Sequence, residues 1–293
     1  MHEDQVPTSV DLVRRLVAAQ HRRWADLPVQ PVADAGTDHA LYRLGADLLV
    51  RLPIVGWAEG QADSDARWLP VLAPHLPLEL PVPVAVGEPG EGYPWRWSVV
   101  RWIDGRAAEP HRLDLATAAR DLAALVRALH AAPTEGAPAK TGTDRGVPLR
   151  RLDAMIRTVL HELRQELDTV AVARAWADAA DADVWAGDPV WIHGDLQPGN
   201  LIARDGRLAA VIDFGGLGVG DPAPDLAPAW NLFDAETRGT FLDAVGYDDA
   251  TRVRARGWVL APALTGLGYY RDTRPDLATA GRERIEAVLA DAG

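Results

Sequence analysis

Residues 191–202 read Trp-Ile-His-Gly-Asp-Leu-Gln-Pro-Gly-Asn-Leu-Ile, and Asp213-Phe214-Gly215 follows a short apolar run, AAVI. Two carboxylates and an amide, Asp195, Asp213 and Asn200, thus stand in order, each next to a run that reads as a strand. Their types suit transfer of a phosphoryl group to a hydroxyl. That reaction needs positioning and charge neutralisation more than covalent help. One carboxylate must face the acceptor hydroxyl and take its proton, and Asp195 suits that role. A second carboxylate and an amide oxygen must hold a magnesium ion, which prefers hard oxygen donors; Asp213 and Asn200 suit that role. The Asp205-Gly206 turn would fold the two strands back and bring Asp213 towards Asn200. His193 is assigned to structure, as a prop for the loop that carries Asp195.

These residues need elements to hold them. Apolar spacing at Val10, Val13, Leu16 and Val17 predicts a helix over 8–27, with Thr8 or Ser9 as its cap. Short runs at 40–44 and 48–52 flank Gly45 and predict a hairpin, preceded by the loop 34–39. A helix is expected over 57–73, a strand near 82–86 and a buried strand over 97–103, ended by Asp104-Gly105. Beyond that point the chain turns helical. Asp114 caps a helix through Ala131, an amphipathic helix covers about 150–167, and an Ala-rich helix runs to Ala180. The run 134–148 reads as loop, 189–214 as short strands joined by turns, and 223–293 as helices. The expected fold is therefore α+β and two-lobed. A mainly β N-lobe spans 1–104, a mainly α C-lobe spans 105–293, and a hinge lies near 101–105.

HGDLQPGNLI, VIDFGG and GDPAPDLA at 220–227 together resemble the aminoglycoside phosphotransferase family, and the H-x-D-x-x-x-x-N and D-F-G elements resemble the protein-kinase signature. The resemblance extends to GTDHALYRLGADLLVRLP at 36–53, DARWLPVLAPHLP at 65–77 and YPWRWSVVRWIDG at 93–105, and so to nearly the whole chain. It implies a protein-kinase-like fold and an ATP- and Mg2+-dependent small-molecule kinase. It also implies that the loop Gly36-Thr37-Asp38-His39 covers the ATP phosphates through backbone N–H groups. Val100 and Trp102 would line the adenine cleft; for Trp102 a plain core position is the other reading. Asp225, in the stretch after D-F-G, would brace the catalytic loop.

The chain departs from that pattern at one place. The third strand should present a lysine to the phosphates, yet Lys140 is the only lysine, among 30 basic residues. Arg51 stands in the expected position in LLVRLP, always charged but with a bulkier fork. Asp65 is its expected acidic partner, with Glu59 as the fallback. Otherwise Arg51 is an ordinary exposed strand arginine of little weight for stability; on the phosphate-contact reading its loss leaves the melting temperature nearly intact while cutting kcat/KM.

Composition sets bounds. With no cysteine, disulfides and thiolate chemistry are excluded, and a net charge of −12 disfavours nucleic-acid binding. An acidic surface favours a cationic acceptor. The first residues lack a basic region followed by an apolar one, and no stretch reaches membrane-spanning length, so a cytoplasmic protein without a membrane partner is expected. The acceptor expected is an aminoglycoside-like or other antibiotic; a macrolide, a choline-like alcohol, a sugar or an amino alcohol are alternatives. A catalytically inactive nucleotide-binding module is the rival from another class, kept open by Arg51. Acceptor specificity is expected from 150–180 and 225–270.

Overall fold

A computed structural model of the chain describes residues 5–32, 38–271 and 273–292. The chain forms two compact units, residues 1–105 with 210–215, and residues 106–209 with 216–293.

In the first unit, helix α1 (Val10–Gln20) opens on Ser9, whose side chain accepts from Leu12 N. It is shorter than the sequence suggests. At His21 the backbone leaves the helical region, and Arg22–Trp24 continues as one 3-10 turn. The apolar stripe Leu12, Val13, Leu16 and Val17 packs on a five-stranded antiparallel sheet. Its strands are β1 (Val29–Pro31), β2 (His39–Leu44), β3 (Leu48–Pro53), β4 (Pro83–Gly87) and β5 (Trp97–Arg101), in the order β1-β2-β3-β5-β4. The β2–β3 hairpin turns at Gly45, with φ at +63°, a conformation open to glycine at no steric cost. Helix α2 (Gln61–Leu72) follows a 3-10 turn at Gly56–Ala58 and buries Asp65 and Leu69. Strand β5 stops at Arg101, short of the expected 103. The next residue, Trp102, stacks beneath the Arg43 guanidinium at 3.8 Å and donates its indole N–H to Asp104, while its backbone N–H donates to the Asp47 carbonyl at 2.8 Å.

The second unit opens with β6 (Arg106–Ala107). Then come α3 (Leu115–His130), capped by Asp114 as expected, α4 (Asp153–Glu162) and α5 (Thr169–Asp181), capped by Asp168. The helix expected over 150–167 is thus trimmed at both ends, its start being the 3-10 turn Leu149–Leu152. Strands β7 (Val190–Ile192), β8 (Leu201–Arg204), β9 (Arg207–Val211) and β10 (Gly218–Gly220) make two small sheets, β10-β7 and β6-β8-β9. The β8–β9 hairpin turns at Asp205 (φ +52°) and Gly206 (φ +78°), the paired left-handed residues of a tight hairpin. Helices α6 (Pro228–Asn231), α7 (Ala235–Val245), α8 (Asp249–Tyr270) and α9 (Pro275–Ala292) complete the unit. Helix α3 packs on α7, and α8 packs on α5 and α9. The apolar run around Trp258 lies in α8 and is buried there, and no described helix is long and apolar enough to cross a membrane.

The end of β9 joins the first unit, where Val211 N donates to the Glu79 carbonyl at 3.0 Å. Asp213 therefore belongs to the unit that carries Arg51, although its place in the sequence puts it among the C-terminal elements.

Candidate active site

In the first unit, Arg51 is not an exposed strand residue. It is 7% exposed, and its Nη1 donates to Asp65 Oδ2 at 2.9 Å, with Asp65 1% exposed. Glu59 lies exposed beside the 3-10 turn at Gly56–Ala58, so the partner is Asp65. Asp213 follows β9 at φ +63°, a left-handed conformation that a non-glycine residue holds only when its surroundings enforce it. The Gln61 side chain, at the start of α2, supplies part of that constraint. With its oxygen inward it accepts from Arg51 Nη2 at 3.2 Å and from Gly215 N at 3.1 Å. With its nitrogen inward it donates to Asp213 Oδ1 at 3.3 Å. Either orientation ties the α2 start to the Asp213-Phe214-Gly215 turn, a link for which the sequence carries no motif.

His39 starts β2 and is 8% exposed. Burial first, then the charge of Arg51, push its pKa down to about 3 against a smaller opposing effect of Asp213, so it is neutral near pH 7. Asp38 accepts the indole N–H of Trp57 at 3.0 Å, and its carbonyl accepts from Ile54 N at 2.9 Å. Gly36 and Thr37 lie outside the described residues. Val100 is buried in the sheet, paired to Leu49 and Pro83, while Trp102 is half-buried under Arg43.

In the second unit, the loop after β7 is held by a buried acid. Asp225 is fully buried; its Oδ1 accepts from Gly194 N at 2.7 Å and its Oδ2 from His193 N at 2.9 Å, with His130 Nε2 3.1 Å from Oδ2. Burial alone would raise the pKa of this carboxyl, but the hydrogen bond and charge of His130, with His193 and Gly194 N, hold it below the usual range. His193 accepts from Asp195 N through Nδ1 at 3.1 Å and so props the loop, as the sequence suggests. Gly216 passes so close that a Cβ there would stand 2.7 Å from the His193 carbonyl. Asp221, the other acid of GDPAPDLA, makes a buried two-point pair with Arg254 at 2.7 and 3.1 Å.

This frame leaves the Asp195 side chain 31% exposed. Asn200 Nδ2 donates to the Asp195 carbonyl at 2.9 Å and to Asp195 Oδ2 at 3.0 Å, so its Oδ1 is the end of the amide with the chemistry to meet a hard cation. Gln197 Nε2 donates to Oδ2 at 3.2 Å, and Arg145 pairs with Oδ1 while donating to the Gly194 carbonyl at 2.7 Å. Arg284 Nη2 donates to Gln197 Oε1 at 3.2 Å. The structure thus brings Asp195 and Asn200 together in one unit and Arg51, Asp65, His39 and Asp213 in the other. Gln197 lies within the HGDLQPGN motif without having been singled out, whereas Gln61, Arg145 and Arg284 are additions for which the sequence carries no motif.

No three His, Cys, Asp or Glu residues cluster as a metal cage among the described residues. Magnesium does not require one, since it takes one or two carboxylates and completes its shell with water and substrate phosphates. The donor types at Asp213 and Asn200 fit it.

The family model described as "Phosphotransferase enzyme family" matches residues 29–258. An aminoglycoside 3'-phosphotransferase of Escherichia coli is 30% identical over 113 residues, 38% of this chain and 41% of that protein. A streptomycin 3''-kinase of Streptomyces griseus is 32% identical over 171 residues, 55% of this chain and 61% of that protein. The matched stretches therefore span less than two thirds of these relatives. Among solved structures, a GDP complex of aminoglycoside 2'-phosphotransferase-IIIa superposes with a TM-score of 0.73 at 17% identity, covering 98% of this chain and 100% of that one. A macrolide 2'-phosphotransferase from Brachybacterium faecium gives 0.64 at 23% identity, covering 97% of each chain. At these identities the likeness establishes the fold, the kinase-like α+β arrangement expected from the sequence.

Proposed function

Since the chain belongs to the phosphotransferase enzyme family, we propose that it transfers the γ-phosphoryl group of ATP to a hydroxyl of a small molecule, and that the antibiotics named for its relatives are the first acceptors to test. The observation that carries this reading is the setting of Asp195. Asp225, a buried acid used up in bracing the loop, presents a second acid that is open to solvent and oriented by Asn200 and Gln197.

In the reaction, Asp195 accepts the hydrogen bond of the acceptor hydroxyl and takes its proton as the new oxygen–phosphorus bond forms. The bond from the γ-phosphorus to the β,γ-bridging oxygen breaks, and its electron pair leaves with ADP. Asp213 would supply a carboxylate oxygen to magnesium and Asn200 an amide oxygen, and the ion would supply neutralisation of phosphate charge. Arg51, held by Asp65, supplies the third-strand cation to the ATP phosphates. Its guanidinium can take two phosphate oxygens where an ammonium takes one. The roles of the two units follow: residues 1–105 with 210–215 bind nucleotide and carry Asp213, and residues 106–209 with 216–293 hold the catalytic loop and the acceptor.

Asp195→Asn tests the reading. The variant is expected to fold and bind Mg·ATP but to lose on the order of 10²–10⁴-fold in kcat, the usual contribution of a positioned general base. Near-normal turnover in Asp195→Asn, followed as acceptor-dependent ADP release, would remove Asp195 from the chemistry. Asp213→Ala is expected to abolish magnesium-dependent nucleotide binding by calorimetry, which an inactive module lacking metal chemistry would not show.

A further inference from the structure

Two arginines converge on Asp195 from parts of the chain that carry no motif. The first arrives on the run 134–148. Irregular as it is, that run is fastened along the segment after Gly215: Lys140 N donates to the Val219 carbonyl at 3.0 Å, Val219 N to the Pro138 carbonyl at 2.8 Å, and Asp221 N to the Gly146 carbonyl at 3.0 Å. The Lys140 ammonium donates to the Gly216 carbonyl. So anchored, the run places Arg145 against the Asp195 carboxylate and the Gly194 carbonyl. The second arrives on α9. Arg284 reaches Gln197, which itself donates to Asp195.

The two neighbours on α9 show what is unusual about Arg284. Arg282 pairs with Glu166 at 2.6 Å, whereas Arg284, half-buried, has no carboxylate within ion-pair distance among the described residues; its hydrogen-bond partner is a neutral amide. Burial pushes its pKa down, and Arg145 adds to that effect while Asp195 and Glu283 oppose it. Two guanidinium groups and one reactive carboxylate therefore share a small region. Asp195 and Glu283 act on Arg284 only from beyond ion-pair distance, and Asp195 is already paired with Arg145. A half-buried guanidinium left in this state is a receptor for an anion, which it binds with short charge-assisted hydrogen bonds.

The anion could come from the nucleotide or from the acceptor. The nucleotide phosphates already have a cation in Arg51, whereas Arg145 and Arg284 surround the carboxylate assigned to the acceptor hydroxyl. We propose that Arg145 and Arg284 form an anion subsite beside Asp195, and that the acceptor carries a carboxylate or phosphate group close to the hydroxyl it presents. The proposal rests on the reading of Asp195 as the base, and it turns the acceptor class away from the cationic antibiotics named for the relatives, which remain the comparison to test. A polycation such as an aminoglycoside would meet repulsion at the point of reaction, even though the net charge of −12 draws cations to the surface at large.

The test is calorimetric titration of the full chain with four probes: D-glucitol, D-gluconate, D-glucose 6-phosphate and kanamycin. At least one of the two anions should bind about tenfold or more tightly than glucitol, as one charge-assisted contact implies. Arg284→Gln should remove that gap, and Arg284→Lys should restore part of it, which separates lost charge from a lost fold. Two anions no tighter than glucitol would overturn the proposal, as would kanamycin binding that Arg284→Gln leaves unchanged. If Arg284→Gln weakened Mg·ATP binding and spared the anions, Arg284 would belong to the nucleotide and the proposal would fall. None of these readings needs turnover, so failure of the kinase reading, seen as full activity in Asp195→Asn, remains distinguishable.

Discussion

Removing the side chain of Arg51 should destabilise the first unit as well as damage nucleotide binding. Asp65 is 1% exposed and its Oδ2 takes the Arg51 guanidinium at 2.9 Å. Arg51→Met would leave that carboxylate buried without its cation. Breaking one side of a buried pair in this way costs roughly 3–5 kcal/mol, because a desolvated charge remains. Asp65→Leu should cost a similar amount by stranding the guanidinium. The double variant Arg51→Met/Asp65→Leu removes both charges and fills their volume, and such replacements are often near neutral. The coupling between the sites should then be on the order of 3 kcal/mol or more, well above what additive substitutions give. Activity should follow a different rule. The phosphates need the cation whether or not Asp65 is present. The double variant should therefore regain its fold but stay on the order of 10²-fold or more below wild type in kcat/KM, as for loss of one oxyanion donor. Arg51→Lys should keep part of the activity.

Urea unfolding followed by tryptophan fluorescence, with steady-state kinetics on the same four proteins, separates the two effects. An unchanged urea midpoint in Arg51→Met would show that the pair does not stabilise the fold. Full activity in the stable double variant would refute the phosphate role. The outcome expected here also corrects the simplest sequence reading, under which the melting temperature survives loss of Arg51.

Three further expectations follow. His39 binds a proton in the unfolded chain near its ordinary 6.5 but in the folded chain only near 3, so the unfolded state holds more protons between those values and stability falls as pH drops through that window; the slope should approach 1.4 kcal/mol per pH unit, and His39→Gln should flatten it in urea titrations from pH 7 to 4. Asp225→Ala strips acceptors from two buried N–H groups and leaves His130 without its acid, so it should cost about 3 kcal/mol or more and lower kcat beyond the loss of folded protein, read as kcat per active site; equal loss in both would assign Asp225 to stability alone. Lys140→Met keeps much of the stem but frees the Gly216 carbonyl and should raise hydrogen exchange in 216–220 more than in 190–195, whereas uniform protection would show that the backbone pairing suffices.

What the sequence made legible divides along a physical line. Asp195, Asn200 and Asp213 were readable because the chemistry restricts residue type at short spacing, and the Asp205-Gly206 turn between β8 and β9 is a local signal. Asp65 was readable once the strand and the following helix were placed, and the exposure of Glu59 settled the choice between them. Gln61, Arg145 and Arg284 were not readable. Each reaches its partner from far along the chain: Arg145 from a run of turn-forming residues, Arg284 from a helix where an arginine reads as solvent-facing. Neither arginine lies in 150–180 or 225–270, the ranges from which acceptor specificity was expected. Element ends were less legible than elements: β5 stops at Arg101, although Trp102 N still donates to the Asp47 carbonyl at 2.8 Å.

The acids named in the motifs can be sorted by what surrounds them rather than by their order in the chain. Asp225 and Asp221 are 0% and 8% exposed, and their oxygens meet backbone N–H groups, His130 or Arg254. An acid whose oxygens are taken up in this way has little left to offer a substrate. Asp195 is nearly a third exposed, and its side-chain donors include Arg145 and Gln197, both long side chains, beside the buried Asn200. Asp213 sits in a left-handed conformation beside Gln61, strain that packing alone gives no reason to retain. Burial combined with fixed donors marks the acids that build the loop. On the proposed reading, exposure at Asp195 and enforced strain at Asp213 mark the acids that act, and Arg145 and Gln197 beside Asp195 are the groups an acceptor would meet.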